Sequence, residues 1–523
     1  MAARHSPLFL LLATVALMAP AVCANAQEAA VEAPVELVGP VAPAIIVKEK
    51  RDPAVVSADQ MAAEIGEQSV SQAKTLMHRA GDAGEGRNLK DSLKLTYDFN
   101  PEIKAARAEV RRVAEDLPQA LANFKPNASI NGDVTYSDID LSGGNAAALA
   151  AAGDGSNTSK TAGVSVSQPL FRGGRSIAET RAAQDALAAG VADYKTSVQN
   201  VLVQAVAAHV DLMAKAALVE LNAQNLERLG KQLEAARARF EFGEFTRTDV
   251  AQAEARYADA EAANLRANGD LRTAKAEYRR LTGQEPVDLT FPDTIPSLPS
   301  SVADGLEMAW KYNPELQSAR YRSAAANNGI NVVRGERLPT VSAQAGYEKI
   351  YDPQPGTFNR QDTSVIGVRA SMPLYTGGAT VARIRQQKQL ATRFEAMEQD
   401  AIERTRLNVL SAWEDYQTVK AQLAAREKQL AAAALANESI KQENEVGQRT
   451  LIDVLDAEQE LLAAQVSMID AQRNEIVFAY TLASSIGLLH PKAMGLDPDY
   501  ADAAKIISQY KRDVAGFGFG VDE

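Results

Sequence analysis

The sequence is short of several things. Of 523 residues, one is cysteine, four are histidine, two are tryptophan, and aromatic residues reach only 6%. A single thiol excludes a disulfide framework and a Cys-based zinc site. The histidines stand apart from one another and offer little to a metal or catalytic constellation. Positive charge is scarce too: 55 Lys+Arg against 67 Asp+Glu leave a net charge of −12. That is the wrong sign for a surface that neutralises nucleic-acid phosphates. The composition is otherwise globular, with 46% hydrophobic and 23% charged residues, enough to bury a sizeable core. At about 100–200 residues per domain the length allows three or so domains, or a few very long elements. These deficits weigh against an enzyme, and predict no cofactor, no metal and no nucleic-acid partner.

The first 26 residues read as a secretory signal peptide. Arg4 precedes an apolar core from Pro7 to Ala21, and Ala24-Asn25-Ala26 has the small-x-small form of a cleavage site before Gln27. An N-terminal membrane anchor is the alternative, but nothing downstream extends the apolar run. Cys23 lies in the removed piece behind Pro20-Ala21-Val22, a poor lipobox, so no lipoprotein is expected. The mature chain is then free of thiols and carries −13, because Arg4 is the only charge removed. Beyond the signal there is no run of roughly 18 apolar residues, so no transmembrane helix is expected. If the product enters a membrane, it must do so as strands.

What is abundant is internal repetition. Asn100-Pro101-Glu102-Ile103 recurs as Asn313-Pro314-Glu315-Leu316 at an offset of 213, and Lys125-Pro126 matches Leu338-Pro339 at the same offset. Further on the offset is 204. Pro169-Leu170-Phe171-Arg172-Gly173-Gly174 recurs as Pro373-Leu374-Tyr375-Thr376-Gly377-Gly378. Gly243, Thr246, Asp249-Val250, Ala253-Glu254 and Gly283 recur as Gly447, Thr450, Asp453-Val454, Ala457-Glu458 and Gly487. The nine-residue change falls between Pro126 and Pro169, where the first copy carries a longer loop. The chain is one unit written twice. It divides into the signal (1–26), a leader (27–88) weakly helical around Ser57 to Arg79, a first repeat (89–283), a linker (284–300), a second repeat (301–489) and a C-terminal tail (490–523).

Each repeat reads in the same order. An Asn-Pro pair starts a helix, Asn capping and Pro at the first position, which ends before Pro126 or Pro339. Two alternating segments follow, Ala128/Ile130/Gly132/Val134/Tyr136 then Ala162/Val164/Val166 in the first copy. The second has Val341/Ala343/Ala345/Tyr347 then Ile366/Val368/Ala370. Period two marks strands with one apolar face, each about ten residues, the length a tilted strand needs to cross a bilayer. From near Ser176 to Phe242 the pattern is helical without proline. Leu226, Leu229, Leu233, Ala236 and Phe240 keep heptad spacing. Some 65 residues make a helix of roughly 100 Å. The helices break at Gly243 and Gly447 and restart at Thr246-x-x-Asp249 and Thr450-x-x-Asp453, capping-box-like starts. They end near Thr282 and Ser485.

The fold class is therefore mainly α with a small β part: long coiled-coil hairpins plus four β-strands per chain. Four strands cannot close a lipid-facing barrel, whose smallest single-chain form has eight, and an open edge in lipid leaves backbone groups unpaired. Closure has to be shared. Three chains would give a 12-stranded β-barrel above a trimeric α-barrel.

The residues from Asp91 to Leu489 resemble the TolC-like outer membrane channel proteins, trimeric channel-tunnels of export systems. The resemblance rests on the duplicated unit, on the Pro-Leu-aromatic-x-Gly-Gly boundary after each strand pair, and on the stretch from Val446 to Ala457, VGQRTLIDVLDA, which looks like the family's turn at the periplasmic entrance. It implies a homotrimer in outer membrane lipid, mostly in the periplasm, with a periplasmic adaptor (membrane fusion protein) and an inner-membrane transporter as partners. By position it makes Asp453 and Asp456 the constriction, and Arg449 a gate link to Thr248 and Asp249 of the first hairpin. Where family members commonly have a tyrosine, this chain has Asn444, opposite Asp249 and able to donate a hydrogen bond.

Each residue also has a plainer reading. Asp249 and Asp453 sit at the third helical position after a threonine, where an acid is favoured by the helix terminus alone. Asp456 lies one turn beyond Asp453 on the same face, and its repeat partner is Gln252. It is a pore carboxylate or part of a solvated face. Stacked carboxylates from three chains would attract cations and raise one another's pKa. Arg449 also reads as an ordinary surface arginine. Trp310 and Trp413 read as packing residues, and His78, His209 and His490 are given no role. The expected function is the exit duct of a tripartite system passing proteins (type I secretion). The same channel in small-molecule efflux, a periplasmic coiled-coil adaptor and a secreted enzyme are the alternatives.

Overall fold

The computed structural model describes residues 63–73, 75, 87–140, 142–143, 145–147, 155–292, 295–354 and 358–491. The signal peptide, most of the leader and the tail beyond 491 lie outside the described residues.

Each repeat opens with a helix ahead of the Asn-Pro pair, α1 (Leu89–Phe99) and α6 (Val302–Tyr312), each with an apolar stripe at helical spacing, Leu89/Leu93/Tyr97 in the first and Val302/Leu306/Ala309 in the second. An Asn88 or Ser301 cap on the backbone N–H three residues on starts each, with eleven residues between that cap and the Asn-Pro pair. The pair then behaves as expected. Asn100 accepts from the N–H of Glu102 and Ile103, and Asn313 from Leu316. Each asparagine also donates its amide to the end of the returning helix, Asn100 to Leu281 O (3.4 Å) and Asn313 to Ser485 O (2.8 Å). One residue type thus starts one helix and ties it to the end of another.

After the pair the copies differ. The first breaks into α2 (Pro101–Ala114) and α3 (Asp116–Ala122), whereas the second is one helix, α7 (Pro314–Gly335). Pro118 explains the break, because its ring collides with the carbonyl four residues back, on Ala114, where α2 ends. At the equivalent position the second copy has Asn331.

Strands β1 (Asn127–Ile139), β2 (Gly155–Arg172), β3 (Thr340–Gln354) and β4 (Phe358–Ser371) form one antiparallel sheet in the order β1-β2-β3-β4. They run 13 to 18 residues, longer than the ten expected. Backbone pairing continues past the apolar stretch, since a ladder needs no particular side chain to persist. The register Ala128↔Val166↔Ala345↔Ile366 puts the alternating residues of all four strands on one face. That face is apolar and exposed, Ile130 by 85% and Ile366 by 91%. The opposite face is mostly polar, with Asn, Ser, Thr, Gln, Asp and Glu, and also carries Arg369, Ile350 and Val365. Among the described residues β1 and β4 have no strand on their outer sides.

The long helices α4 (Arg175–Glu241) and α8 (Ala379–Glu445) have 67 residues each, about 100 Å. They are answered by α5 (Arg247–Thr282) and α9 (Leu451–Ser485). By length and composition α4 would also cross a membrane, but most of its apolar stretch is buried within the protein. Val198, Val201, Leu202, Val206 and Val210 meet Ile103 and Leu117 of the first repeat and Ile469 and Ile476 of α9. The repeats are interlocked rather than strung in series. Asp193 of α4 accepts from Ser318 and Arg322 of α7 at 2.6 Å each, and Arg473 of α9 grips Asp211 of α4 with two bonds of 2.6 and 3.1 Å. The three domains allowed by length are replaced by a duplicated unit whose largest apolar core draws on both repeats.

The core also shows where the copies diverged. His209, fully buried, bonds through Nδ1 to Ser92 Oγ (2.9 Å) and through Nε2 to the carbonyl of Thr290 (3.0 Å); Ser92 Oγ also meets Tyr278 Oη at 2.8 Å. Burial pulls the imidazole pKa down to about 4, so it is neutral. The equivalent positions in the second copy are Gly305, Trp413 and Leu482. There Leu482 is fully buried in an apolar cluster with Trp413 packed on it.

Candidate functional site at the hairpin turns

The two hairpin turns are built from the same backbone bonds. In the first, Gly243 takes φ +79°, its N–H donates to Phe240 O and that of Glu244 to Arg239 O, both at 2.9 Å. In the second, Gly447 takes φ +78°, with its N–H on Asn444 O (2.9 Å) and that of Gln448 on Glu443 O (2.8 Å). This double closure satisfies the last helical carbonyls and needs a residue in the left-handed region. A Cβ on either glycine would meet nothing within 4 Å, so the backbone angle alone demands glycine.

Both restarts are complete capping boxes. Asp249 Oδ2 accepts from the N–H and the hydroxyl of Thr246, 2.8 Å each, while its own N–H donates back to Thr246 Oγ1 (3.3 Å). Thr450 and Asp453 repeat this at 2.9, 2.8 and 3.3 Å. The threonine N–H, then its hydroxyl, hold both carboxyl pKa values below the usual range, and Arg449 adds to the effect on Asp453. The structure thus places both aspartates in the capping role within the chain.

The side chains around the turns differ. In the first, the Arg239 guanidinium lies over the Phe245 ring, 5.3 Å from its centre. The equivalent pair in the second is Glu443 and Arg449, joined at 2.7 Å from Nε to Oε2. That bond raises the Arg449 pKa, and the Asn444 amide donates to Arg449 O at 2.8 Å. Arg449 is thus held inside its own turn by Glu443. Thr248 is exposed on the first turn, and Asp249 is engaged by Thr246. Within one chain the structure does not bring Arg449 to Thr248 or Asp249.

Asp456 is brought to a partner that sequence reasoning does not name. Arg256 of α5 donates to its Oδ1 at 2.6 Å, tying the second hairpin to the first. The bond sits beside an apolar seam in which Leu451 and Leu455 of α9 pack on Leu229 and Ala260 of the first hairpin. A sequence signal existed. Arg256 and Asp456 align with Glu460 and Gln252, so charge changes between copies at both positions.

A second missed feature crosses each hairpin. Arg237 and Glu254 pair at 2.7 Å, half exposed, and their repeat equivalents Lys441 and Glu458 pair at 2.7 Å with Glu458 only 4% exposed. Its other oxygen, Oε2, is buried without a hydrogen-bond partner. The site is therefore a pair of capped turns with an added layer of ion pairs on the second.

The sequence matches the family described as "Outer membrane efflux protein" over residues 94–284 and 305–488, the two repeats. It is similar to the outer membrane efflux protein BepC of Brucella suis biovar 1 (strain 1330), 32% identical over 433 residues, 82% of this chain and 90% of that protein. The alkaline protease secretion protein AprF of Pseudomonas aeruginosa is 26% identical over 279 residues, 52% of this chain and 58% of that protein. The fold resembles the crystal structure of the Campylobacter jejuni CmeC outer membrane channel, with a TM-score of 0.70 at 16% identity, covering 82% of this chain and 90% of that one.

Proposed function

This chain belongs to the outer membrane efflux protein family, and from that premise we propose that it is the exit duct through which a tripartite system exports polypeptides. It is an outer membrane protein and a channel of the efflux class. The observation that carries the duct reading is the pairing of an apolar-faced sheet having two open edges with two helical hairpins of about 100 Å. Open edges in lipid are costly, and three copies close them into twelve strands. Hairpins of that length suit a passage across the periplasm to an adaptor and an inner-membrane transporter, which supply the energy.

In the trimer the turns form the periplasmic entrance. Asp453 and Asp456 line it, and Asp456 is restrained by Arg256. Arg449 acts as a link that exchanges Glu443 for Thr248 and Asp249 as the entrance closes or opens, with Asn444 bracing the turn. Adaptor contacts then favour the open state by binding it more tightly.

Polypeptide export is supported by the likeness to a protease secretion protein and by the signal without a lipobox. Small-molecule efflux is the second reading, supported by the likeness to BepC over most of both chains. Deletion and complementation of the gene separate them. The expected result is loss of one or a few polypeptides from the medium with drug sensitivity unchanged. Drug sensitivity with normal secretion favours the second reading. No change in either, or a soluble monomer on fractionation, overturns the duct.

A further inference from the structure

On β3 and β4 the apolar run of the sheet's face gives way to charge at a defined level, while β1 stays apolar to Tyr136. From the helix end outward, the pairs Val341↔Ala370 and Ala343↔Val368 come first. The rows Ala128↔Val166↔Ala345↔Ile366 and Ile130↔Val164↔Tyr347↔Ser364 follow, Ser364 being their one polar member. From Val341 to Lys349 is about 27 Å along the strand at roughly 3.4 Å per residue, or about 20 Å along the membrane normal at a barrel tilt of roughly 40°, most of the apolar band of about 25 Å that lipid covers. The next row on the same face is Gly132↔Ala162↔Lys349↔Asp362, and the one beyond is Val134↔Lys160↔Tyr351↔Arg360. Tyr136 and Phe358, 67% and 60% exposed, stand further out on that face.

In these two rows charge sign differs by face. The lipid side holds Lys160, Lys349 and Arg360 with one acid, Asp362, which Arg360 engages, and a second acid, Asp138, stands two rows further out on the same face. The polar side holds Asp133 and Glu348 beside them. Lys349 lies over the Tyr351 ring, 5.7 Å from its centre. The cluster carries three cations against one anion at the far end of the strands from the helices, where the outer leaflet ends. Cations on the lipid face are costly in hydrocarbon and settle at head-group depth. A basic group with an aromatic neighbour at that depth suits anionic lipid.

We propose that Lys160, Lys349 and Arg360 form a binding site for the anionic head group of the outer-leaflet glycolipid. The occupant is a lipid whose acidic groups sit on its sugar, level with the basic rows, while its chains cover the apolar rows below. This goes beyond the export reading and needs only the outer membrane location. In a closed barrel of three chains it would be present three times.

The test uses the full-length protein in phosphatidylcholine vesicles containing bis-phosphorylated lipid A, the same glycolipid stripped of both phosphates, or phosphatidylglycerol. Lipid retained on the purified protein is measured by native mass spectrometry, and channel conductance in the same vesicles reports correct insertion separately. The expected result is enrichment of lipid A over phosphatidylcholine. It falls about fivefold in Lys349→Gln and further in Lys160→Gln/Lys349→Gln, with conductance kept. Arg369→Gln, a basic residue on the opposite face, leaves it unchanged. The proposal is overturned by absence of enrichment, by equal retention of the stripped glycolipid or of phosphatidylglycerol, or by undiminished retention in the double variant.

Discussion

The turns at Gly243 and Gly447 share their backbone bonds and almost none of their side-chain bonds. Glycine closure and the capping box are the same to within 0.1 Å, whereas Arg239 over Phe245 in one has become Glu443 with Arg449 in the other. The cross-hairpin pair is half exposed in the first copy and has a buried carboxylate in the second. Duplication preserved what makes a turn and released what surrounds it. The second turn took on charge, and charged contacts can be exchanged for others, as the link proposed for Arg449 requires. The first is the simpler scaffold.

That asymmetry can be broken experimentally. The largest effect is expected from Lys441→Ala, which strands the Glu458 carboxylate in a buried site and should destabilise the protein by about 3–5 kcal/mol. Arg237→Ala at the equivalent exposed pair should cost at most about 1 kcal/mol. Denaturant unfolding of the two variants measures the difference, and similar costs would refute the asymmetry.

The next effect belongs to the cores. The His209 pKa is about 4 in the folded chain against 6.5 for an unperturbed histidine, so the folded state resists protonation. Its contribution to stability is complete above about pH 6.5, is lost as pH falls toward 4, and amounts to about 3 kcal/mol. A pH series of unfolding midpoints should show this slope, flattened in His209→Phe. The second copy, with Trp413 and Leu482 there, adds no such slope.

Smaller and symmetrical effects test the shared plan. Thr246→Ala and Thr450→Ala should each cost about 1 kcal/mol by loss of the cap, and Gly243→Ala and Gly447→Ala about the same through positive φ. Unequal costs within either pair would show that the turns are not equivalent. The smallest effect is electrostatic. Salt should loosen the Glu443–Arg449 turn and leave the Arg239–Phe245 turn nearly unchanged, as read by hydrogen exchange at Gly447 and Gly243.

Much of this was legible in the sequence because the repeat gave every motif a second instance. The long helices were placed to within one or two residues, since absence of proline and a glycine at each end define them. The Asn100 and Asn313 caps and both capping boxes follow from short-range residue types. The α2–α3 break at Pro118 was also written there, but only as a difference between copies. What could not be read were the long-range pairs. Arg256 with Asp456 and Lys441 with Glu458 depend on how hairpins lie side by side and on burial, which composition and spacing do not encode. His209 lacked a role for the same reason, its partners Ser92 and Thr290 lying 117 residues before it and 81 after it.

The central claim is that the two turns form a gated entrance whose charged links lie on the second hairpin. Single-channel conductance in planar bilayers tests it most directly, comparing wild type with Arg256→Ala/Arg449→Ala, Arg237→Ala and Asp453→Ala/Asp456→Ala. The expected result is a cation-preferring channel of low conductance that rises in the first variant and holds in the second. In the third, cation preference is lost. Conductance unchanged by Arg256→Ala/Arg449→Ala, with cation preference persisting in Asp453→Ala/Asp456→Ala, would contradict it.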